Sequence, residues 1–201
     1  MRLTRTEARQ ANRRALLDAA RELLSRDSAD VSVDAIAAAA NLTTGAIYSI
    51  FGSKSGLLMA VLTDDISRVD VLLEPMRDDP ALPLPEVIDR YLSAWFTANA
   101  DDSKTKSAFE LRVLLAAMED DRLLEQLTKA MNDEIGGLAL VLENRVIDPA
   151  RPSDRTTAAH ASAIAVAIKA VLTGFALRRV ATDDPLDLAR QTCLALTALA
   201  K

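Results

Sequence analysis

One cysteine, one histidine and 3% aromatic residues leave this 201-residue chain short of the parts from which many functions are built. The lone Cys193 excludes a disulfide framework within the chain and fits a reducing compartment. With His160 as its only histidine, far from Cys193 in sequence, no His/Cys metal cluster can be assembled. No nucleophile elbow, phosphate loop or metal-ligand spacing is present. The paired acids Asp64-Asp65, Asp78-Asp79 and Asp120-Asp121 fall at helix edges or turns, where capping and solvation account for them. Neither an enzyme nor a cofactor or metal is expected. The sequence gives no apolar run judged long enough to span a membrane, and its polar, Arg-rich start has no apolar segment behind it. A cytoplasmic protein without a signal peptide is the expectation.

Half of the residues are apolar, with Ala and Leu dominant, six Gly, and no alternating Val/Ile/Thr runs. That predicts an all-α chain, long enough for one large or two small domains; taken element by element, it reads as about nine helices and no strands. Charge is unevenly spread about the net of −5. Residues 1–26 carry seven Arg (Arg2, Arg5, Arg9, Arg13, Arg14, Arg21, Arg26) against Glu7, Asp18 and Glu22, a net of +4. Residues 55–201 hold 16 basic and 23 acidic residues, a net of −7. The attraction to phosphate is thus confined to one end, and Arg13, Arg14 and Arg21 are candidates for phosphate contact.

Thr4 to Ser25 reads as the first helix, with Leu16, Leu17, Ala20, Leu23 and Leu24 on one face. A fourth helix begins near Ser53, continues through Leu57, Leu58, Val61, Leu62, Ile66 and Val69, and is expected to end at Pro75. Asp78 to Pro85 is a Pro-rich break. An apolar stripe from Val87 to Phe96 follows, interrupted at ADDSK, then a shorter helix with Phe109, Val113, Leu114 and Ala117. A longer helix carries Leu124 to Leu142, and Gly136-Gly137 within it predicts a kink or a close helix crossing. Pro149 and Pro152 break the chain again before an Ala-rich helix expected from Arg155 to Val180. After DDP at 183–185 a last helix carries Leu188, Thr192, Leu196 and Leu199.

The most informative stretch is SVDAIAAAANLTTGAIYSIFGSKSGLL, Ser32 to Leu58. Ser32 caps a short Ala-rich helix anchored by Ile36. Asn41 tolerates the left-handed conformation that ends a helix, Leu42 plugs the turn, and Thr43 or Thr44 caps the next helix. Ile47 and Phe51 share one face of it, leaving Thr44, Ala46, Tyr48 and Ser49 to project elsewhere. Such small, polar-tipped residues suit a helix entering a DNA major groove.

TTGAIYSIFGSKSGLL also resembles the signature of TetR-like (tetracycline-repressor-like) transcriptional regulators, through Thr44, Gly45, Tyr48, Phe51, Gly52, Lys54, Leu57 and Leu58. The resemblance covers about a quarter of the chain. Asn41 stands where that family commonly has Gly, Ile50 where it has His, and Ser55-Gly56 where it has acidic residues that start a helix well. This last departure predicts a weakened start to the fourth helix.

The resemblance implies a three-helix DNA-binding head over residues 1–53 and an effector-binding and dimerisation domain over 54–201, linked by the fourth helix. It implies double-stranded DNA with a palindrome-like operator as partner. The residues for that contact are Ser32, Thr43, Thr44, Gly45, Ala46, Tyr48, Ser49 and Lys54, with Tyr48 and Lys54 at phosphates. It implies a homodimer through the two closing helices, with Ile164, Ile168, Leu172, Leu188, Thr192 and Leu196 as interface candidates. A small, mostly hydrophobic effector would meet Trp95, Phe96, Phe109, Met118, Met131 and Phe175, with Arg112, Asn132 and His160 as polar contacts. The function implied is a repressor that such an effector releases from its operator.

Overall fold

The computed structural model describes residues 4–26, 31–99, 103–178 and 184–199. Arg2, residues 100–102 of the ADDSK interruption, Val180 and Asp183 lie outside these, as do the side chains of Arg26, Ile66, Val69 and Leu199. Nine helices and two short strands are found among the described residues. The helices are α1 (Arg5–Arg26), α2 (Val33–Ala39), α3 (Thr44–Phe51), α4 (Lys54–Arg77), α5 (Leu84–Ala98), α6 (Ser103–Met118), α7 (Asp121–Leu142), α8 (Ala158–Arg178) and α9 (Pro185–Leu199). Between α7 and α8, β1 (Val146–Asp148) and β2 (Arg151–Arg155) pair antiparallel, Val146 opposite Arg155 and Asp148 opposite Arg151.

The helical fold is as expected; the two strands are not. Asn144 takes a left-handed φ of 58° just past α7, which turns the chain back. The Asp148 carboxylate then accepts from the Ala150 N–H at 2.9 Å and pairs with Arg151, closing the hairpin over Pro149. The eighth helix consequently starts at Ala158 and not at Arg155, with the Thr157 hydroxyl accepting from the His160 N–H at 3.2 Å. Two smaller expectations also change. Pro75 lies inside the last turn of α4, which runs on to Arg77. α7 continues through Gly136, where an added Cβ would meet nothing within 4 Å, so that glycine is not there to allow a close crossing.

The chain forms two compact units. The first comprises residues 1–65 and 102–129, that is α1–α3, the start of α4, α6 and the start of α7. Its core includes Leu16, Leu17, Ile36, Ile47, Leu57 and Val113, all at most 3% exposed. α1 begins on a complete capping box, Thr4 N–H to the Glu7 carboxylate at 2.7 Å and Glu7 N–H to the Thr4 hydroxyl at 3.2 Å. Hydrogen bonding of its carboxylate by the Thr4 N–H, and then by the Thr4 side chain, holds the Glu7 carboxyl below its ordinary pKa.

The second unit comprises residues 66–101 and 130–201. Tyr91, Leu92, Leu138, Leu142, Ile164 and Ile168 are among the side chains of its core. Ion pairs join helices within it, Lys169 of α8 to Glu134 of α7 and Arg190 of α9 to Asp89 of α5. Arg145, just past α7, is 5% exposed, and its guanidinium donates to the main-chain carbonyls of Met76, Asp79, Leu82 and Val141.

One helix, over Ala158–Ala176, is long and apolar enough to cross a membrane by length and composition, which the sequence was not expected to contain. Ala161, Ile164, Ala165, Ile168 and Leu172 on that helix are buried in the core of the second unit, and Lys169 pairs with Glu134. A core helix of a folded domain passes the same test.

Candidate nucleic-acid interface

Ser32 takes the N-cap of α2 with φ −78° and ψ 152°, its hydroxyl accepting from the Ala35 N–H at 3.0 Å. Val31 before it and Ile36 after it, the positions of a hydrophobic staple, are both buried. At the other end of α2, Asn41 adopts φ 54°, and two main-chain bonds close the turn. The Leu42 N–H reaches the Ala37 carbonyl at 2.9 Å and the Asn41 N–H reaches the Ala38 carbonyl at 3.0 Å. This pair of bonds is a Schellman motif, with Asn supplying the left-handed residue that Gly usually supplies. It fixes where α3 starts relative to α2.

Thr43 is the N-cap of α3, yet its side chain makes no capping bond. That departs from the expected role of Thr43 and leaves its hydroxyl and the first N–H groups of α3 available to an outside acceptor. Ile47 is fully buried and Phe51 half-buried, anchoring one face of α3. Thr43, Gly45, Tyr48 and Ser49 are exposed, and Thr44 and Ala46 partly so. A Cβ on Gly45 would come no nearer than 3.6 Å, to the Thr43 hydroxyl, so the fold itself has room for a side chain there.

Gly52, at φ 78°, ends α3, and the axis turns by 67° into α4. Lys54 is the first residue of α4 and partly exposed. The expected weak start of α4 is not what the structure has. Ser53 caps it, its hydroxyl accepting from the Gly56 N–H at 2.9 Å. Gly56 has a steric reason of its own, since a Cβ there would lie 2.2 Å from the Phe51 carbonyl oxygen.

Of the arginines expected at phosphates, Arg21 is committed elsewhere, bonding Asp18 at 3.0 Å and Asp64 at 2.7 Å. Arg14 is exposed on α1. Arg13 lies over the Phe51 ring, and Arg9, which the sequence did not single out, bonds the Ser49 carbonyl.

The expected effector residues divide. Trp95, Phe96 and Phe175 come together edge to face, with centroids 5.1 Å apart for the first pair and 6.0 Å for Phe96 and Phe175. All three are half-buried in the second unit. His160 is partly exposed there as a residue, while its Nε2 is buried without a partner among the described residues. Met131 and Asn132 stand exposed on α7. Phe109, Arg112 and Met118 belong to the first unit, where Phe109 is buried, Arg112 exposed and Met118 69% exposed.

The expected dimer residues need correction on α8. Ile164, Ile168 and Leu172 are at most 2% exposed within the unit's own core and have no surface left to give a partner. Ser162, Ala163, Val166, Ala170 and Thr173 form the exposed face of that helix. On α9, Leu188 is exposed, and Thr192 and Leu196 are partly exposed.

Residues 16–61 match the sequence profile of "Bacterial regulatory proteins, tetR family". No curated protein sequence matches the chain. Solved structures share its fold over nearly its whole length. A TetR-family transcriptional regulator from Mesorhizobium loti MAFF303099 is 14% identical with a TM-score of 0.67, covering 98% of this chain and 97% of its own. Salmonella enterica GusR is 19% identical with a TM-score of 0.65, covering 98% of each chain. The TetR family repressor AlkX from Dietzia sp. strain DQ12-45-1b, implicated in biodegradation of n-alkanes, is 21% identical with a TM-score of 0.58, covering 94% of each.

Proposed function

We propose that this chain, with a tetR-family sequence pattern in its head and the fold of TetR-family transcriptional regulators, is a sequence-specific DNA-binding repressor of the cytoplasm. The observation that carries this reading is the Schellman turn at Asn41, which sets α3 on α2 with Ile47 inward and Thr43, Gly45, Tyr48 and Ser49 outward. In this reading residues 1–53 are the DNA-binding domain and 54–201 the effector-binding and dimerisation domain. Thr44, Ala46 and Ser49 approach base edges, Tyr48 and Lys54 take phosphates, and Thr43 and Gly45 let the helix come close. Ser32 acts on DNA mainly by holding α2, since its hydroxyl is already bonded to Ala35.

Two copies would join through the exposed small-residue face of α8, around Val166 and Ala170, and Leu188, Thr192 and Leu196 of α9. A two-fold dimer of this kind suits a palindrome-like operator with half-sites about one DNA turn apart. An effector that favours the other spacing of the two heads would empty the operator by population shift; one with equal affinity for both states would release nothing. A small hydrophobic effector is supported by the Trp95–Phe96–Phe175 cluster, and a polar group on it by the His160 Nε2, which is without a partner among the described residues.

Binding of the purified protein to DNA from just upstream of its own gene, over a salt series, tests the reading. Saturable, sequence-selective binding by a dimer that weakens steeply with salt supports it. If genome-wide selection of bound fragments also recovers no preferred sequence, the reading is wrong.

A further inference from the structure

Two arginines of α1, four residues apart and therefore on one face, both reach the last turn of the recognition helix. Arg9 donates through Nη2 to the Ser49 carbonyl at 3.2 Å. Arg13 places its guanidinium carbon 5.6 Å from the centroid of the Phe51 ring. Ser49 is among the last four residues of α3, whose carbonyls an α-helix leaves without partners inside itself, at the negative end of its dipole. A cation there satisfies the carbonyl and opposes the dipole. The Phe51 ring, anchored half-buried, offers the second cation its electron-rich face.

We propose that Arg9 and Arg13 are positioning residues for DNA recognition. Together they clamp the C-terminal turn of α3 against α1 and so set the direction in which Thr44, Ala46 and Ser49 enter the groove. This role differs from the phosphate contact that an arginine-rich arm suggests by charge alone, and it rests on the reading of α3 as a recognition helix. A misdirected α3 loses base contacts, which demand alignment, sooner than it loses attraction to the phosphate backbone, which does not. The clamp therefore acts on specificity.

The test compares wild type with Arg13→Gln, Arg9→Gln, Phe51→Leu and the double variant Arg13→Gln/Phe51→Leu. Each binds the selected operator and an unrelated duplex of equal length over a salt series. Arg13 is an exposed surface residue, so its variant keeps the fold; helix content and melting temperature are checked for Phe51→Leu. Loss of the Arg13 stacking contact should weaken operator binding about three- to ten-fold. It should leave affinity for the unrelated duplex and the salt slope unchanged. The double variant should be no worse than the poorer of its two single variants, because both remove one contact. Arg9→Gln should follow the same pattern. A fall in both affinities together with a salt slope smaller by about 0.9 would make either arginine a phosphate contact and overturn the clamp. Variants that bind the operator like wild type would also overturn it. Failure of the wild-type protein to select any DNA would remove the recognition reading itself, and the clamp with it.

Discussion

The Arg145 guanidinium bonds the Met76 carbonyl at 2.6 Å, tying a residue three positions past the end of α7 to the last turn of α4. Its Nε takes the Val141 carbonyl at 2.8 Å, and Nη1 takes those of Asp79 at 2.5 Å and Leu82 at 3.4 Å. One cation thus meets the negative ends of two helices, α4 and α7, and the Pro-rich turn between α4 and α5. Burial lowers its pKa, and the charge of nearby Asp79 opposes that. An arginine remains charged here because its neutral form lies so far away in pH.

Replacing Arg145 by Met would take this donor from the buried Met76, Val141 and Leu82 carbonyls. The expected loss is on the order of 3 kcal/mol, since each unsatisfied buried acceptor carries its own desolvation cost. Arg145→Lys should restore only part, because an ammonium cannot span the same set of carbonyls. Urea denaturation followed by circular dichroism measures both; a Met variant as stable as wild type would contradict the account.

Two glycines of the head should respond in opposite ways. Gly56→Ala drives a Cβ to 2.2 Å from the Phe51 carbonyl and should destabilise by about 1–3 kcal/mol. Gly45→Ala meets only an ordinary contact at 3.6 Å. It should leave stability level or raise it by up to about 1 kcal/mol through helix propensity. Its effect should instead appear at the DNA, as weaker operator binding where backbone and base edge must approach. Melting curves and operator titration separate the two, and equal melting temperatures would contradict the steric reading of Gly56.

Burial raises the Cys193 thiol from 9.0 to about 11. The folded protein therefore keeps a proton that the unfolded chain loses above pH 9, and stability linked to this residue falls as pH rises from 9 to 11. Alkylation of the native protein at pH 8 should be slow, and fast in denaturant. The stability difference between wild type and Cys193→Ala should narrow across pH 9–11; a constant difference would count against the burial.

What could be read from the sequence was local. Ser32, Asn41, Ile47 and Phe51 act on neighbours within a few residues, so their spacing carries the turn and the buried face of α3. Gly56 is needed because of a carbonyl five residues back across a bend, and the composition of α4 says nothing of that bend. Arg145 owes its role to carbonyls more than sixty residues earlier, beyond any periodicity. The helical stripe of Ile164, Ile168 and Leu172 was legible as a stripe. Its partner was not, because a helix pattern looks alike whether it faces its own core or a second chain. The hairpin was hidden by brevity: β1 has three residues, too few for alternation to register.

The most direct test of the central claim is the salt dependence of operator binding by Lys54→Gln beside wild type. Lys54 at the start of α4 is taken as a phosphate contact, so its loss should weaken binding to all sequences alike and reduce the salt slope by about 0.9. Helix content and dimerisation should not change. A Lys54→Gln protein with wild-type affinity and wild-type slope would contradict the claim that this face of the head meets DNA.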